Sequence, residues 1–349
     1  MLRWFRVRIR LFISLICLSS GAFAALTAPE RAANLESFEV VWKTVRDRNP
    51  GGKLNVSDWQ AVHDRTRPLI QRAESMEEVR TRLREMLARV GLSHYAIIPA
   101  DRYSEPSDAD APAAASTPNA PMASSATAAP SETPAAPPTE PAAPDSKMVT
   151  FGNLPQMELT FETKRLASGV GYIRFNEFLD PVSVMPKFEK AVKEYAGAPG
   201  IILDLRGNRG GIGIMAMGIA GFFVSESGKQ LGEMTMNEGS LKFVIFPRAE
   251  TYKGKLAILV DSGSASTTEI LAQGMQDLGR ARIFGTLTAG AALPSDIVKL
   301  PNGDRFQFAE ASYTSVKGKV LEGNGVTPDV EVHGGAAVIE AAEAWILSK

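Results

Sequence analysis

Thiols are almost missing from this chain: Cys17 is the one cysteine in 349 residues. A single cysteine excludes an intramolecular disulfide. Because Cys17 falls in a segment expected to be removed, the mature protein also lacks a cysteine nucleophile. Stability must come from core burial, which a chain of this length with 44% apolar side chains can supply. An excess of charge is also missing. The 38 basic and 39 acidic residues leave a net charge of −1, which gives no electrostatic reason to invoke nucleic acid or an anionic membrane surface. Histidine is scarce. His63, His94 and His333 are scattered and carry no metal-ligand spacing, so no metal is expected. No Gly-Lys-Ser/Thr follows the glycine-rich loop, which excludes a phosphate-binding P-loop, and no cofactor is implied.

Long hydrophobic runs are absent too. Leu11 to Leu18 is apolar but too short to be counted as a spanning helix. It follows four arginines in Met1 to Arg10 and precedes Ala22-Phe23-Ala24, a small-x-small cleavage pattern. Residues 1–24 therefore read as a secretory signal peptide cleaved near Ala24. Leu15-Ile16 before Cys17 lacks the small residue of a lipoprotein site. The expectation is a bacterial periplasmic or secreted protein with no stable membrane insertion after cleavage.

What is present divides into three parts. Residues 25–103 read as a small helical N-terminal domain. Leu35, Phe38, Val41, Trp42 and Val45 recur at helical spacing, and Asn49-Pro50-Gly51-Gly52 ends that helix. A second helix runs from near Ser57 to about Pro68. A third opens at the capping box Ser75-x-x-Glu78 and ends at Gly91. Tyr95 to Pro99 reads as a short strand. Residues 104–149 are an Ala/Pro-rich linker with almost nothing to bury, expected to be a disordered tether. Residues 150–349 alternate strand and helix patterns. Ile201 to Leu205 and Leu256 to Val260 are buried strands, a helix spans about Thr267 to Leu278, Asn302-Gly303 marks a hairpin, and a helix closes near Val338 to Leu347. The fold class is α/β.

Four places carry chemistry, each with a plainer alternative. Ser266-x-x-Glu269 opens a helix after a buried strand and is a capping box. A serine there is also a suitable nucleophile, since the helix N-terminus favours the oxyanion formed on attack. Asp204-Leu205-Arg206-Gly207-Asn208-Arg209-Gly210-Gly211 is a glycine-rich loop after a buried strand. It suits either a tight turn or an oxyanion hole. His94, in a helix-to-strand turn, and Glu322, before Gly323, are by themselves an ordinary turn histidine and a solvated carboxylate.

Taken together these segments resemble the C-terminal processing (tail-specific) serine peptidase family. The resemblance rests on Met86-Leu87 through Ser93-His94, Gly171-Tyr172-Ile173-Arg174-Phe175 with Phe178, and Leu203 to Gly211. It continues through Gly263 to Glu269, Gln276-Asp277 with Gly279-Arg280, and Gly325 with Pro328-Asp329-Val330. It implies a crotonase-like core of the ClpP/crotonase superfamily. Ser266 matches the nucleophile, and N–H groups of the Gly210-Gly211 pair and Thr267 match the oxyanion hole. The implied partner is a peptide or an unfolded protein tail, and the oligomeric state stays open. Two departures stand out. The lysine of the Ser-Lys members aligns with Ala291, and the linker occupies the place of a PDZ module. A second branch, resembling the tricorn protease core, uses histidine instead. In its pattern Ser93-His94 supplies the general base and its relay, and Glu322 the carboxylate. Two rivals share the fold: a catalytically inactive peptide- or lipid-binding protein, suggested by Ala291, and an acyl-CoA enzyme.

Overall fold

The protein is described by a computed structural model over residues 25–50, 55–103, 145–150 and 154–349. The signal peptide expected at 1–24 and the linker up to residue 144 lie outside the described residues.

Three helices lead. Helix α1 (Ala28–Arg48) starts at a Thr27–Glu30 capping box and stops before Pro50. Helix α2 (Val56–Arg72) is capped by the Asn55 side chain and passes through Pro68 to Arg72, a turn beyond the end expected from the sequence. The carbonyl that Pro68 leaves without a donor belongs to Asp64, which is exposed, while Ile70 and Ala73 are buried and hold the last turn in the core. Helix α3 (Met76–Leu87) is capped by Ser75, and Gly91 turns left-handed (φ 68°) after the 3-10 turn Ala88–Val90. The indoles of Trp42 and Trp59 each donate to the other's carbonyl at 3.1 Å, tying α1 to α2.

The remaining elements, in order, are β1 (Ala96–Ile98), β2 (Asp145–Val149), β3 (Met157–Arg165), β4 (Gly171–Phe175), α4 (Pro181–Glu194), β5 (Gly200–Asp204) and α5 (Gly213–Ala220). Then follow β6 (Gln230–Met236), β7 (Gly239–Val244), β8 (Lys255–Val260), α6 (Thr267–Asp277), β9 (Arg282–Gly285), β10 (Ser295–Lys299), β11 (Arg305–Ala309), β12 (Ser312–Ser315), β13 (Val330–Glu331) and α7 (Gly335–Leu347). A seven-stranded sheet has the order β13-β9-β8-β5-β4-β3-β2, parallel from β13 to β4 and antiparallel beyond. Its central strands are buried on both faces, as their continuous apolar runs require. Ile201, Leu203 and Ile258 face the core with Phe188, Met215 and Leu271 of α4, α5 and α6, whereas Ile202, Ala257 and Leu259 face Val338, Ala342 and Ile346 of α7. The arrangement is mixed α/β with a helical N-terminal region.

Two expectations need correction. The last five residues assigned to the tether, 145–149, form β2, paired antiparallel with β3. Composition hides this strand because its side chains are mostly exposed and it is held through backbone pairing. The helical region, moreover, does not close a core alone. Its buried cluster is completed by Leu300, Phe306 and Phe308, and β1 joins β11 and β10 in a second, antiparallel sheet. Arg80 of α3 grips the fully buried Asp304 through Nε (3.0 Å) and Nη2 (2.8 Å), and the Ala100 N–H adds a third bond to the same carboxylate (2.9 Å). This clamp fixes the Ser93-His94 turn, between α3 and β1, against the C-terminal half of its own chain.

Candidate active site

The turn from β8 to α6 holds five hydroxyls, and their environments separate them. Ser262 is exposed. Ser264 is buried, donating to the Leu205 carbonyl (2.8 Å). Thr267 donates to the Gly211 carbonyl (2.7 Å), and Thr268 to Asn208 Oδ1 (2.8 Å). Ser266 is only partly buried and lines a cavity of about 410 Å³. Its backbone is at φ 56°, ψ −121°, outside the regions that L-residues favour. Such strain costs on the order of 1–3 kcal/mol and persists only where the surroundings over-determine it.

Those surroundings are centred on Glu269, which is fully buried. Its carboxylate accepts from the Ser266 N–H (3.0 Å), the Gly290 N–H (2.8 Å), the Ala291 N–H (2.9 Å) and the Thr288 hydroxyl. The Ala291 carbonyl in turn accepts from the Ser266 N–H (2.7 Å). The residue aligned with the family's lysine thus frames the serine through its backbone. Glu269 is part of a helix cap, as the sequence suggests, but its carboxylate also binds the 288–291 loop to the Ser266 turn.

On the opposite side, Asn208 performs a similar service for the glycine loop. It is fully buried, donates to the Phe175 carbonyl (2.9 Å), and accepts from the Gly210 N–H (2.9 Å) and Thr268. Of the expected oxyanion donors, Gly210 is therefore engaged with Asn208. The Gly211 and Thr267 N–H groups have no intramolecular acceptor among the described residues. Gly211 has φ 134°, and a Cβ there would lie 2.5 Å from the Phe178 carbonyl oxygen, so no larger residue fits this approach.

His94 lines the same cavity as Ser266, with Gly210 and Gly211, in a single chain. The ring and the Ser266 hydroxyl make no direct hydrogen bond, though both residues line this one cavity. Behind the ring runs a chain of hydrogen bonds. The Ser93 hydroxyl donates to Glu322 Oε2 (2.8 Å) and lies 2.7 Å from His94 Nδ1. Since its single proton goes to the carboxylate, Ser93 accepts from His94 Nδ1–H, which leaves Nε2 as the unprotonated nitrogen. Glu322 is held by the N–H groups of Ser93 (2.6 Å) and Ala292 (3.2 Å). His94, like Ser266, has a positive φ (62°). Burial pushes its pKa below the ordinary imidazole value, and the nearby Glu322 charge opposes that shift in part. His63 instead lies against Glu39 and Asp64 in the helical region, and His333 beside Glu331 at the surface. Among the described residues no group of three or more His, Cys, Asp or Glu is placed to hold a metal.

Residues that sequence reasoning passed over complete the site. Glu177 and Arg209 line the cavity with Ser266. A second cavity, about 460 Å³, meets it at Ser266 and Gly211 and is walled by apolar side chains of α5, β6 and β7, including Met217, Met234 and Phe243. The β6–β7 hairpin carries no strong sequence signal, so this wall was not foreseeable.

A buried strand, a strained serine at a helix N-terminus, a glycine loop and a His–Ser–Glu chain define a serine-hydrolase type of site. Comparison with known proteins narrows the class. Residues 169–332 match peptidase family S41, and residues 31–88 match the tricorn protease C1 domain. The chain thus carries a peptidase family S41 domain preceded by a tricorn C1 domain. A curated relative, the "Probable CtpA-like serine protease" of Staphylococcus epidermidis, is 29% identical over 171 residues, covering 47% of this chain and 33% of that protein. The chain thus spans about a third of the length of the curated relatives it matches. A solved structure from Parabacteroides merdae shares the fold at 20% identity and a TM-score of 0.61, covering 90% of this chain and 97% of the other. The photosystem II D1 C-terminal processing protease shares it at 17% identity and a TM-score of 0.51, covering 88% and 94%.

Proposed function

We propose that this protein is an exported serine endopeptidase that hydrolyses peptide bonds in peptides or unfolded C-terminal tails through an acyl-enzyme on Ser266, with His94 as base. The observation that carries this reading is the unbroken Glu322–Ser93–His94 hydrogen-bond chain, whose free imidazole nitrogen belongs to a ring sharing one cavity with Ser266. In the proposed reaction the Ser266 hydroxyl attacks the scissile carbonyl and its proton passes to His94 Nε2. The imidazolium is held by Ser93 and, through it, by the Glu322 charge. Negative charge on the carbonyl oxygen is met by the Gly211 N–H of the glycine loop and the Thr267 N–H at the N-terminus of α6. Collapse of the tetrahedral adduct expels the amine, which takes the proton from His94. A water activated by the same imidazole then hydrolyses the ester and regenerates Ser266. The Ser266–His94 bond forms as substrate closes the cleft, since catalytic hydrogen bonds are often long in free enzymes.

The finer assignments belong to the same reading. The strand–turn–helix core is crotonase-like, residues 25–103 are the helical region and 150–349 the catalytic domain, preceded by the β2 strand. Residues 1–24 are a signal peptide, which places the mature protein in the periplasm or outside the cell. No described helix is long and apolar enough to cross a membrane. Processing of tails is suggested by the D1 C-terminal processing protease that shares the fold.

Reaction of the purified protein with a fluorophosphonate tests the reading. Ser266 becomes labelled and Ser266→Ala does not. An unlabelled wild type under saturating probe would instead favour the inactive binding protein suggested by Ala291.

A further inference from the structure

Glu177 belongs neither to the His94 relay nor to the Ser266 turn, yet it opens onto their cavity. It is only 8% exposed, and no hydrogen bond or ion pair satisfies its carboxyl among the described residues. Its position is fixed by its neighbour: the Phe178 N–H donates to the Gly210 carbonyl (2.7 Å), and the Phe178 carbonyl accepts from Ile212 (2.8 Å). The backbone beside Glu177 is thereby tied to the glycine loop. The charged and titratable groups sharing its cavity are few. Arg209 is exposed, Asp296 is exposed with one oxygen taken by the Ile297 N–H (2.7 Å), and His94 lines the same cavity. Burial pushes the Glu177 carboxyl up to about 7, against the pull of Arg209.

Withdrawing most of a carboxyl from water without a partner disfavours its charged form. Such a group beside a reactive centre is a candidate for recognition of a ligand that brings the missing partner. The two sides of Ser266 also differ in kind. The second cavity has no charged side chain in its wall, whereas the first has Glu177 inside it.

We propose that Glu177 is a specificity-determining residue that pairs with a cationic nitrogen of the peptide substrate, from a Lys or Arg side chain or a free α-amino terminus, while the apolar cavity takes an uncharged side chain. The proposal rests on the peptidase reading of Ser266. A substrate cation favours the ionised form of this half-withdrawn carboxyl and supplies charge-assisted hydrogen bonds to it. A neutral isostere enters the same space but leaves that carboxylate unpaired, which is the situation that gives strong discrimination.

The test uses internally quenched peptides in matched pairs with the intact protein. One arm compares Lys or Arg with norleucine at single positions flanking the scissile bond, with the N-terminus acetylated. The other compares free and acetylated N-termini in peptides lacking basic residues. The wild type is expected to favour the cationic member of one arm by about 100-fold in kcat/KM, and the arm that responds identifies the source of the nitrogen. In Glu177→Gln that ratio falls to within a few-fold of one. A wild-type ratio near one in both arms overturns the proposal and needs no variant. So does a Glu177→Gln protein that keeps the wild-type ratio, or that loses all peptides in parallel with Arg209→Ala, since Glu177 then only partners Arg209. Fluorophosphonate labelling in parallel separates the two levels. A labelled Ser266 without charge preference removes the Glu177 proposal alone, and an unlabelled Ser266 removes the peptidase reading and this proposal with it.

Discussion

Ser93 and Glu322, 229 positions apart in the chain, are joined by two hydrogen bonds, from the Ser93 N–H (2.6 Å) and from its hydroxyl (2.8 Å). This double contact does more than orient a side chain. It commits the Ser93 proton to the carboxylate, and that decides which nitrogen of His94 is left unprotonated. Ser93→Ala is therefore expected to lower kcat/KM by about 10- to 100-fold, because the imidazole loses its fixed tautomer while the oxyanion donors remain. Steady-state cleavage of a quenched peptide checks this. A variant as active as wild type would remove Ser93 from the account.

The pH dependence follows from the His94 shift. Burial favours the neutral imidazole, so the folded-state pKa lies below the ordinary value of about 6.5. Activity should persist as pH falls through that value and disappear only at lower pH, as the base is protonated. Glu322 raises the His94 pKa, so Glu322→Gln should move the acid limb of the kcat/KM profile to still lower pH while reducing its plateau. A limb that moves to higher pH contradicts this electrostatic assignment.

Glu269 offers a test of the strained turn. Its buried carboxylate gathers four donors, three of them backbone N–H groups around Ser266 and Ala291. Glu269→Ala strands those donors and is expected to cost about 3 kcal/mol or more in stability and to slow fluorophosphonate labelling. Thermal unfolding and labelling rates report the two effects, and an unchanged labelling rate would show that the turn keeps its shape without the carboxylate.

How much of this was legible beforehand depends on the kind of interaction. The buried strands β5 and β8 and the capped starts of α3 and α6 are local patterns, and the sequence shows them. Ser266, His94, Ser93 and Glu322 stand out only through resemblance to a family, since no local spacing links residues that far apart. Contacts between segments stay hidden. Pairing of β1 with β11, and the burial of Asp304 under Arg80, join regions more than 200 positions apart. The Gly210 N–H is diverted to Asn208 by loop geometry that composition does not encode. Glu177 carries no motif at all, and its importance lies in what surrounds it.

The Arg80–Asp304 clamp makes the helical region part of the site. Asp304→Ala leaves a partly buried guanidinium and the Ala100 N–H without their acceptor. The expected loss is about 3–5 kcal/mol, with a fall in activity as the Ser93-His94 turn loosens. A variant that is destabilised yet fully active per folded molecule would separate docking of the helices from catalysis.

Because His94 reaches the Ser266 cavity within one chain, mixing Ser266→Ala protein with His94→Ala protein should restore no activity. Recovery toward wild-type levels would mean that neighbouring chains exchange their helical regions.

The central claim is that His94 is the base for Ser266, and one comparison tests it most directly: the rate at which purified wild type and His94→Ala cleave an unfolded protein. The account predicts a loss of about 10²- to 10⁴-fold in the variant, the usual worth of general-base catalysis, with the fold intact by circular dichroism. A folded His94→Ala protein that cleaves as fast as wild type would contradict it.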